Sequence, residues 1–331
     1  MHKGLIILDP RAYDLIYGQE HQAEIAHRVQ LLAEPMHRDE ALKRPDLLAE
    51  ADVIFSGWGA PKMDAAFLAA APKLKAVFYG AGSIRYFTTE EFWARKITVT
   101  SAYAMNAIPV AEYTLAAILM SLKNFWKQAY GAKLLGRYPE RVPCAGGYGS
   151  KVGLVSLGMI GRLVRERLRP FDIEVLAYDP FVTPEQATAL GIEMVELDEI
   201  FRQCDVVSLH TPWLKETEGM IQGRHFEMMK PNATFLNTAR GAVVRENELI
   251  EVLQRRTDLT AWLDVTYPKE PPVEGSPLWT MPNVILTPHI AGSQDRECRR
   301  MGRLMIDEFD RWNRGETLKW AISKEKAALL A

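Results

Sequence analysis

The run Val152-Gly153-Leu154-Val155-Ser156-Leu157-Gly158-Met159-Ile160-Gly161 carries an apolar β-type segment through a glycine-bearing turn into a helix-like segment. Gly158 lets the backbone come close to a ligand, Gly161 permits tight helix-to-strand packing, and the free N–H groups at the helix start face an anion. Asp179, 21 residues after Gly158 and just past the next β-type run, is suited to accept hydrogen bonds from ribose hydroxyls. This is a dinucleotide-binding arrangement, with Ser156, Gly158, Met159, Ile160, Gly161 and Asp179 as its candidate contacts. A carboxylate at Asp179 repels a ribose phosphate and so favours NAD over NADP. Ser156 stands where G-x-G-x-x-G has its first glycine. Either the turn stays in the region open to serine with an altered loop, or the hydroxyl adds a hydrogen bond near the phosphates.

From that run outward, β-type segments alternate with helical ones. Leu5–Leu8, Val53–Ser56, Ala76–Tyr79 and Ile97–Thr100 precede it, separated by helical stretches such as Asp64–Ala71 and Thr89–Arg95. Val175–Tyr178, Asp205–Leu209, Thr234–Asn237, Leu259–Asp264 and Val284–Leu286 follow it. The alternation predicts α/β architecture: two Rossmann-like or flavodoxin-like lobes with parallel sheets and a cleft between them. A long helix is expected over Ala107–Lys127, with Asn106 as its N-cap and Pro109 in its first turn, and a second over Asp295–Arg314. One helix leading into the second lobe and one leading out make the first lobe discontinuous: residues 1–103 with 295–331 for substrate, 104–294 for the cofactor. The Gly-rich patch Ala145–Gly149 reads as a turn before a strand.

Composition narrows the function classes. With 331 residues the chain exceeds one ordinary hydrophobic core, and 48% hydrophobic with 25% charged residues is globular composition. Lys+Arg 40 against Asp+Glu 42 leaves a net charge of -2, with no basic run to follow a phosphate backbone, so nucleic acid is not an expected partner. Three widely spaced cysteines, without a C-x-x-C pair, argue for reduced thiols in the cytoplasm and against a metal site. The apolar start at Leu5–Leu8 is cut short by Asp9-Pro10, and Val110–Leu122 is shorter than a membrane span, so neither export nor a membrane partner is expected.

Reducing a 2-oxo acid with hydride requires an acid for the carbonyl oxygen, a cation for the carboxylate, and a carboxylate to tune the acid. Three strand-to-loop segments offer these groups: Asn237-Thr238-Ala239-Arg240-Gly241, Asp264-Val265-Thr266-Tyr267-Pro268-Lys269-Glu270-Pro271, and Thr287-Pro288-His289-Ile290-Ala291-Gly292. Parallel strands ending in this way deliver their loops to one edge of a sheet, where such residues converge. A carboxylate beside His289 favours the imidazolium form.

Taken with Asn106, Val110-Ala111-Glu112, Cys204 through His210, Leu263-Asp264-Val265 and Pro282-Asn283-Val284, these segments make the sequence resemble the D-isomer-specific 2-hydroxyacid dehydrogenases over nearly its whole length. The resemblance implies NAD as cofactor and a small 2-hydroxy or 2-oxo carboxylic acid as substrate. It implies that Arg240 binds substrate, Glu270 pairs with the histidine and His289 is the acid/base. It also implies that Asp264 lies near the nicotinamide carboxamide, that Thr238 and Ala239 border the cofactor, and that the amides of Gly80-Ala81-Gly82 receive the substrate carboxylate. Glu270 follows Asp264 by six positions where the family has five; Lys269 takes the fifth, and its charge would oppose an imidazolium. By its residue type alone Asp264 is equally a loop anchor, and His210 either lines the cofactor site or braces a loop. Trp58, Tyr79, Arg85 and Tyr86 flank the carboxylate-binding loop, Trp58 as core or as pocket wall. An apolar face on the Ala107–Lys127 helix points to a homodimer. The rival reading is an NADH-binding, corepressor-like regulator without turnover; retention of Arg240, Glu270 and His289 favours chemistry.

Overall fold

The computed structural model describes residues 1–329, which form two compact units. The first comprises Met1–Asn106 and the described residues from Ser293 onward; the second is Ala107–Gly292. The crossings thus fall three residues later and two residues earlier than the pattern alone places them. Asn106 Oδ1 accepts from Ser293 N at 2.9 Å, joining the two crossing points within the first unit.

The first unit is a five-stranded parallel sheet built from β1 (Lys3–Ile7), β2 (Gln30–Leu31), β3 (Val53–Ser56), β4 (Ala76–Tyr79) and β5 (Thr98–Ser101), in the order β2-β1-β3-β4-β5. Every residue of β3 and β4 is buried, as expected where helices cover both faces of a parallel sheet. One cover is the helix Cys298–Asn313, whose Phe309 packs on Phe55 and Phe78 with ring centroids 5.5 Å away. Arg28 to Asp310 and Arg303 to Glu24 add ion pairs along its edge.

The second unit has seven parallel strands, β6 (Ser150–Val155), β7 (Ile173–Tyr178), β8 (Glu193–Met194), β9 (Val206–Leu209), β10 (Thr234–Asn237), β11 (Thr260–Leu263) and β12 (Val284–Leu286), in the order β12-β11-β10-β9-β6-β7-β8. The chain reverses direction across the sheet between β6 and β9. Loops leaving the carboxyl ends of strands at such a switch point are where open α/β sheets bind ligands. Gly146 and Gly149, both at positive φ, form the turn before β6.

The connecting helix departs from its expected span. It runs Tyr103–Ser121, so Asn106 and Pro109 are interior, and Ser101 Oγ rather than Asn106 receives the first amide, that of Tyr103, at 3.2 Å. Asn124 in the left-handed region ends the run, and a separate helix, Phe125–Leu135, follows. By length and composition alone Tyr103–Ser121 could cross a membrane, but Ala111, Ala117 and Ile118 lie buried against Val152, Leu154 and Trp262 in the core of the second unit. The apolar face expected on Ala107–Lys127 is therefore largely used internally. Apart from Met120, the exposed apolar residues of this region stand on the next helix, where no side chain is buried and Phe125, Trp126, Tyr130 and Leu134 are exposed.

Candidate active site

At the carboxyl end of β6 the glycine turn is held in a defined shape. Ser156 has φ +78, and its Oγ lies 3.0 Å from Thr211 Oγ1. Neither alternative drawn from the sequence describes it fully: the backbone keeps the left-handed conformation that glycine would supply, while the hydroxyl is engaged by Thr211. A methyl added to Gly161 would sit 2.3 Å from Ser156 O, so this glycine allows the helix Met159–Leu168 to rest on the strand. At Gly158 a methyl would meet nothing within 4 Å, and no side chain caps the helix. The space above Gly158 and the uncapped amides form an open cradle suited to a pyrophosphate.

Around this cradle Asp179 accepts from Leu157 N at 2.7 Å and from Phe181 N at 2.8 Å. Each carboxylate oxygen retains a lone pair for a ribose hydroxyl. His210, leaving β9, is buried against Gly161, with Nε2 3.0 Å from Ser208 Oγ and with no partner for Nδ1 among the described residues. Burial lowers its pKa to about 3, so the ring is neutral. Thr238 Oγ1 lies 3.1 Å from Thr114 Oγ1, and Ala239 N donates to Asn237 Oδ1 at 3.0 Å, so both are fixed within the unit. An orphaned buried imidazole nitrogen, an open glycine and an uncapped helix start fit a dinucleotide.

The chemical groups leave the neighbouring strands at the same edge. Past β10, Arg240 is largely enclosed, with Nη1 donating to Ala239 O at 2.7 Å. Burial lowers the pKa of its guanidinium while the field of Glu270 opposes that shift, which leaves a desolvated cation with further N–H donors. Past β11, Asp264 Oδ1 accepts from Thr287 Oγ1 at 2.6 Å and from Ile290 N at 2.9 Å, and Oδ2 accepts from Ala291 N at 2.9 Å. Its carboxylate anchors the loop past β12. Trp262 Nε1 donates to Tyr113 OH, which lies 2.9 Å from Thr287 Oγ1, so the anchor is itself braced.

That loop sets His289 at φ +54, with its N–H near Asp264 O at 3.1 Å and Thr287 O at 2.9 Å. A left-handed non-glycine residue costs about 1–2 kcal/mol, and such strain persists where surrounding bonds over-determine it, as Asp264 does here. His289 Nδ1 donates to Glu270 Oε1 at 2.6 Å. Glu270, not Lys269, is therefore the neighbour of the imidazole. The extra residue is taken up within the loop, where Thr266 Oγ1 donates to Lys269 O at 2.7 Å.

In the first unit Gly80 N donates to Ser56 O at 2.7 Å, so of the three amides expected to hold a carboxylate this one is committed. The carbonyls of Ala81 and Gly82 accept from Ser101 Oγ, which fixes the loop. Tyr79 is buried; its hydroxyl lies 3.2 Å from that of Tyr86. Tyr86 in turn donates to Gly57 O and accepts from Ala60 N, tying down the turn that carries the partly exposed Trp58.

Several participants escaped the sequence reading. Arg162, whose Nε donates to Leu157 O at 2.8 Å, puts a cation beside the glycine turn, though a basic residue in a first helical turn reads as a solvated one. Thr211, Thr287 and Tyr113 act through hydroxyls that carry no periodic signal.

Residues 115–291 match the family model for the NAD binding domain of D-isomer specific 2-hydroxyacid dehydrogenases. The chain is 33% identical over 264 residues to a D-3-phosphoglycerate dehydrogenase of Archaeoglobus fulgidus, covering 79% of this chain and 50% of that protein. It is 31% identical over 276 residues to a glyoxylate reductase of Thermococcus litoralis, covering 80% of this chain and 81% of that one. It spans about half the length of the phosphoglycerate dehydrogenases it matches. Among solved structures, a protein of Thermus thermophilus superposes with TM-score 0.79 at 27% identity over 97% of this chain and 99% of its own. The apo D-mandelate dehydrogenase of Rhodotorula graminis shares the fold with TM-score 0.81 at 22% identity, over 98% of each chain.

Proposed function

This chain belongs to the D-isomer specific 2-hydroxyacid dehydrogenase family, and from that premise we propose that it is an NAD-dependent oxidoreductase acting on the CH–OH group of a small 2-hydroxy carboxylic acid, or reducing the matching 2-oxo acid. The observation that carries the reading is the 2.6 Å bond from His289 Nδ1 to Glu270, at the sheet edge that also bears Arg240 and the open glycine turn. When bound, NAD supplies or accepts the hydride at C2. Gly158 and the amides of Met159, Ile160 and Gly161 would hold the pyrophosphate, with the Arg162 cation near the turn, and Asp179 would take the adenosine ribose.

In this reading Arg240 pairs with the substrate carboxylate and polarises the C2 oxygen, its charge strengthened by exclusion from water. The family resemblance also assigns the Gly80-Ala81-Gly82 loop of the first unit to a substrate carboxylate, and of its amides Gly80 N is already engaged by Ser56 O. Glu270 holds His289 by Nδ1 and directs Nε2 outward. That nitrogen gives a proton to the C2 oxygen during reduction and takes it back during oxidation. Asp264 acts on His289 through the loop it anchors. The names of the relatives range from glyoxylate to phosphoglycerate and mandelate, and what these acids share is a carboxyl group next to C2.

The assay is NADH oxidation with glyoxylate, hydroxypyruvate, pyruvate and larger branched or aromatic 2-oxo acids, with NADPH in parallel. Turnover of any of these acids that is lost in His289→Ala supports the reading. Tight NADH binding without turnover would replace it with the regulator, and preference for NADPH would overturn the role of Asp179. We further propose a homodimer in the cytoplasm, where its three free cysteines stay reduced, with the exposed Phe125–Leu135 helix covered by a second copy. Leu134→Asp should then sediment as a monomer.

A further inference from the structure

We infer that Glu246 is a positioning residue for the reaction: through a single hydrogen bond to the backbone it fixes the loop that presents Glu270 to His289. The inference rests on the acid/base role proposed for His289. Glu246 opens the helix Glu246–Arg255, six residues past Arg240. It is half-buried, and its Oε2 accepts from Tyr267 N at 2.9 Å. Burial raises this carboxyl's pKa against the opposing pull of the Tyr267 amide, the hydrogen bond that a half-buried carboxylate requires.

Tyr267 lies midway along the loop between Asp264 and Glu270. On one side Gly241 presses on it so closely that a methyl there would lie 2.8 Å from Tyr267 N. On the other, Thr266 Oγ1 closes the turn onto Lys269 O, one residue before Glu270. The Trp213 ring meets the Tyr267 ring edge-on with centroids 5.6 Å apart. Glu246 thus ties the Glu270 loop to the chain segment that bears Arg240, so the cation and the carboxylate of the site keep a common frame. No other side-chain acceptor among the described residues binds the Tyr267 amide.

Two conservative variants separate reach from charge. Glu246→Gln keeps an oxygen at the same distance without the charge, whereas Glu246→Asp keeps the charge and withdraws the oxygen by one methylene. In the NADH assay Glu246→Asp should lose kcat by about 10²-fold with KM little changed, the loss expected for a displaced catalytic group, while Glu246→Gln stays near wild type. In cofactor-free, 15N-histidine-labelled protein, the His289 Nδ1 signal of Glu246→Asp should move toward its position in Glu270→Gln, and that of Glu246→Gln should not. Wild-type kcat and an unmoved signal in Glu246→Asp, or equal damage in both variants, would overturn the inference. The spectra need no turnover, so they decide it even if the proposed reaction fails.

Discussion

Gly241→Ala tests whether the loop bearing Glu270 is held by contact with the Arg240 segment. Gly241 does not occupy the left-handed region, so alanine is acceptable to its backbone and any effect arises from the added methyl. That methyl would sit 2.3 Å from both Thr266 C and Thr266 O and 2.8 Å from Tyr267 N. These are backbone atoms, which cannot turn aside as the end of a side chain can. Restoring ordinary contact at about 3.5 Å requires the two segments to part by about 1.2 Å. Overpacking of this kind costs about 1–3 kcal/mol. For a unit of this size that corresponds to a fall in Tm of about 2–12 °C, measured by scanning calorimetry. The displacement passes along the loop to Glu270, and a shift near 1 Å at a catalytic group lowers turnover by about 10²-fold. NADH affinity, which the proposed reading places mainly at the glycine turn on β6, should change little. A variant that keeps both its Tm and its kcat would refute the argument, because the contact would then have been absorbed without moving Glu270.

The two glycines of the cofactor turn should behave oppositely. Gly158→Ala, with open space around the new methyl, should leave Tm unchanged and weaken NADH binding measured by fluorescence titration, whereas Gly161→Ala, 2.3 Å from Ser156 O, should lower Tm by forcing helix from strand. Normal NADH affinity in Gly158→Ala would refute the cradle. Asp264→Ala removes the acceptor for a hydroxyl and two amides in a buried site and should cost about 4.5–9 kcal/mol in urea unfolding, since each of these three hydrogen bonds to a charged group contributes about 1.5–3 kcal/mol. A loss below about 1 kcal/mol would mean that the loop stands without it. His210 is neutral when folded, with a pKa near 3 against 6.5 when unfolded, so the unfolded chain binds the extra proton as pH falls. Its stabilising contribution is complete above pH 6.5 and declines toward pH 3 by about 1.4 kcal/mol per pH unit. His210→Gln should flatten that decline; an unchanged pH dependence would show that His210 does not cause it.

The sheets were legible because buried parallel strands are written as short apolar runs. Val53–Ser56, Ala76–Tyr79 and Thr234–Asn237, with the partly buried edge strand Val284–Leu286, occupy the same residues in the sequence reading and in the structure. Gln30–Leu31 and Glu193–Met194 were not, since two residues give no period to detect. The start of the connecting helix was misread for a different reason. Asparagine before an apolar run is a favourable N-cap, but local bonds to Ser101 and Ala102 start the helix a turn earlier, and the Asn106 side chain accepts instead from Ser293 N. At the site, Arg240 and His289 each stand three residues past a strand and could be named from their segments, whereas Glu270, seven residues past Leu263, was named through the family resemblance. Glu246 could not be named, because a carboxylate in a first helical turn reads as a partner for the helix dipole, and only the fold brings it to Tyr267.

The two strained residues of the second unit's sheet edge show how the site is kept in working shape. Ser156 and His289 both sit at positive φ, one in the cofactor turn and one bearing the proposed acid/base, and neither is glycine. At each, a side chain from another strand end removes the freedom to relax: the Thr211 hydroxyl for Ser156, and the Asp264 carboxylate, through Ile290 and Ala291, for the His289 loop. Glycine at either position would ease the backbone but would delete a group that is in use, a hydroxyl bond in one case and the imidazole in the other. The strain therefore follows from requiring a functional side chain at a turn whose geometry suits glycine, and the bonds that offset it run along the carboxyl edge of one sheet. If that account holds, Asp264→Asn, which can still accept but offers an amide where Oδ2 meets Ala291 N, should damage turnover more than it damages Tm. Equal losses in both would mean that Asp264 stabilises the unit without specifically holding His289.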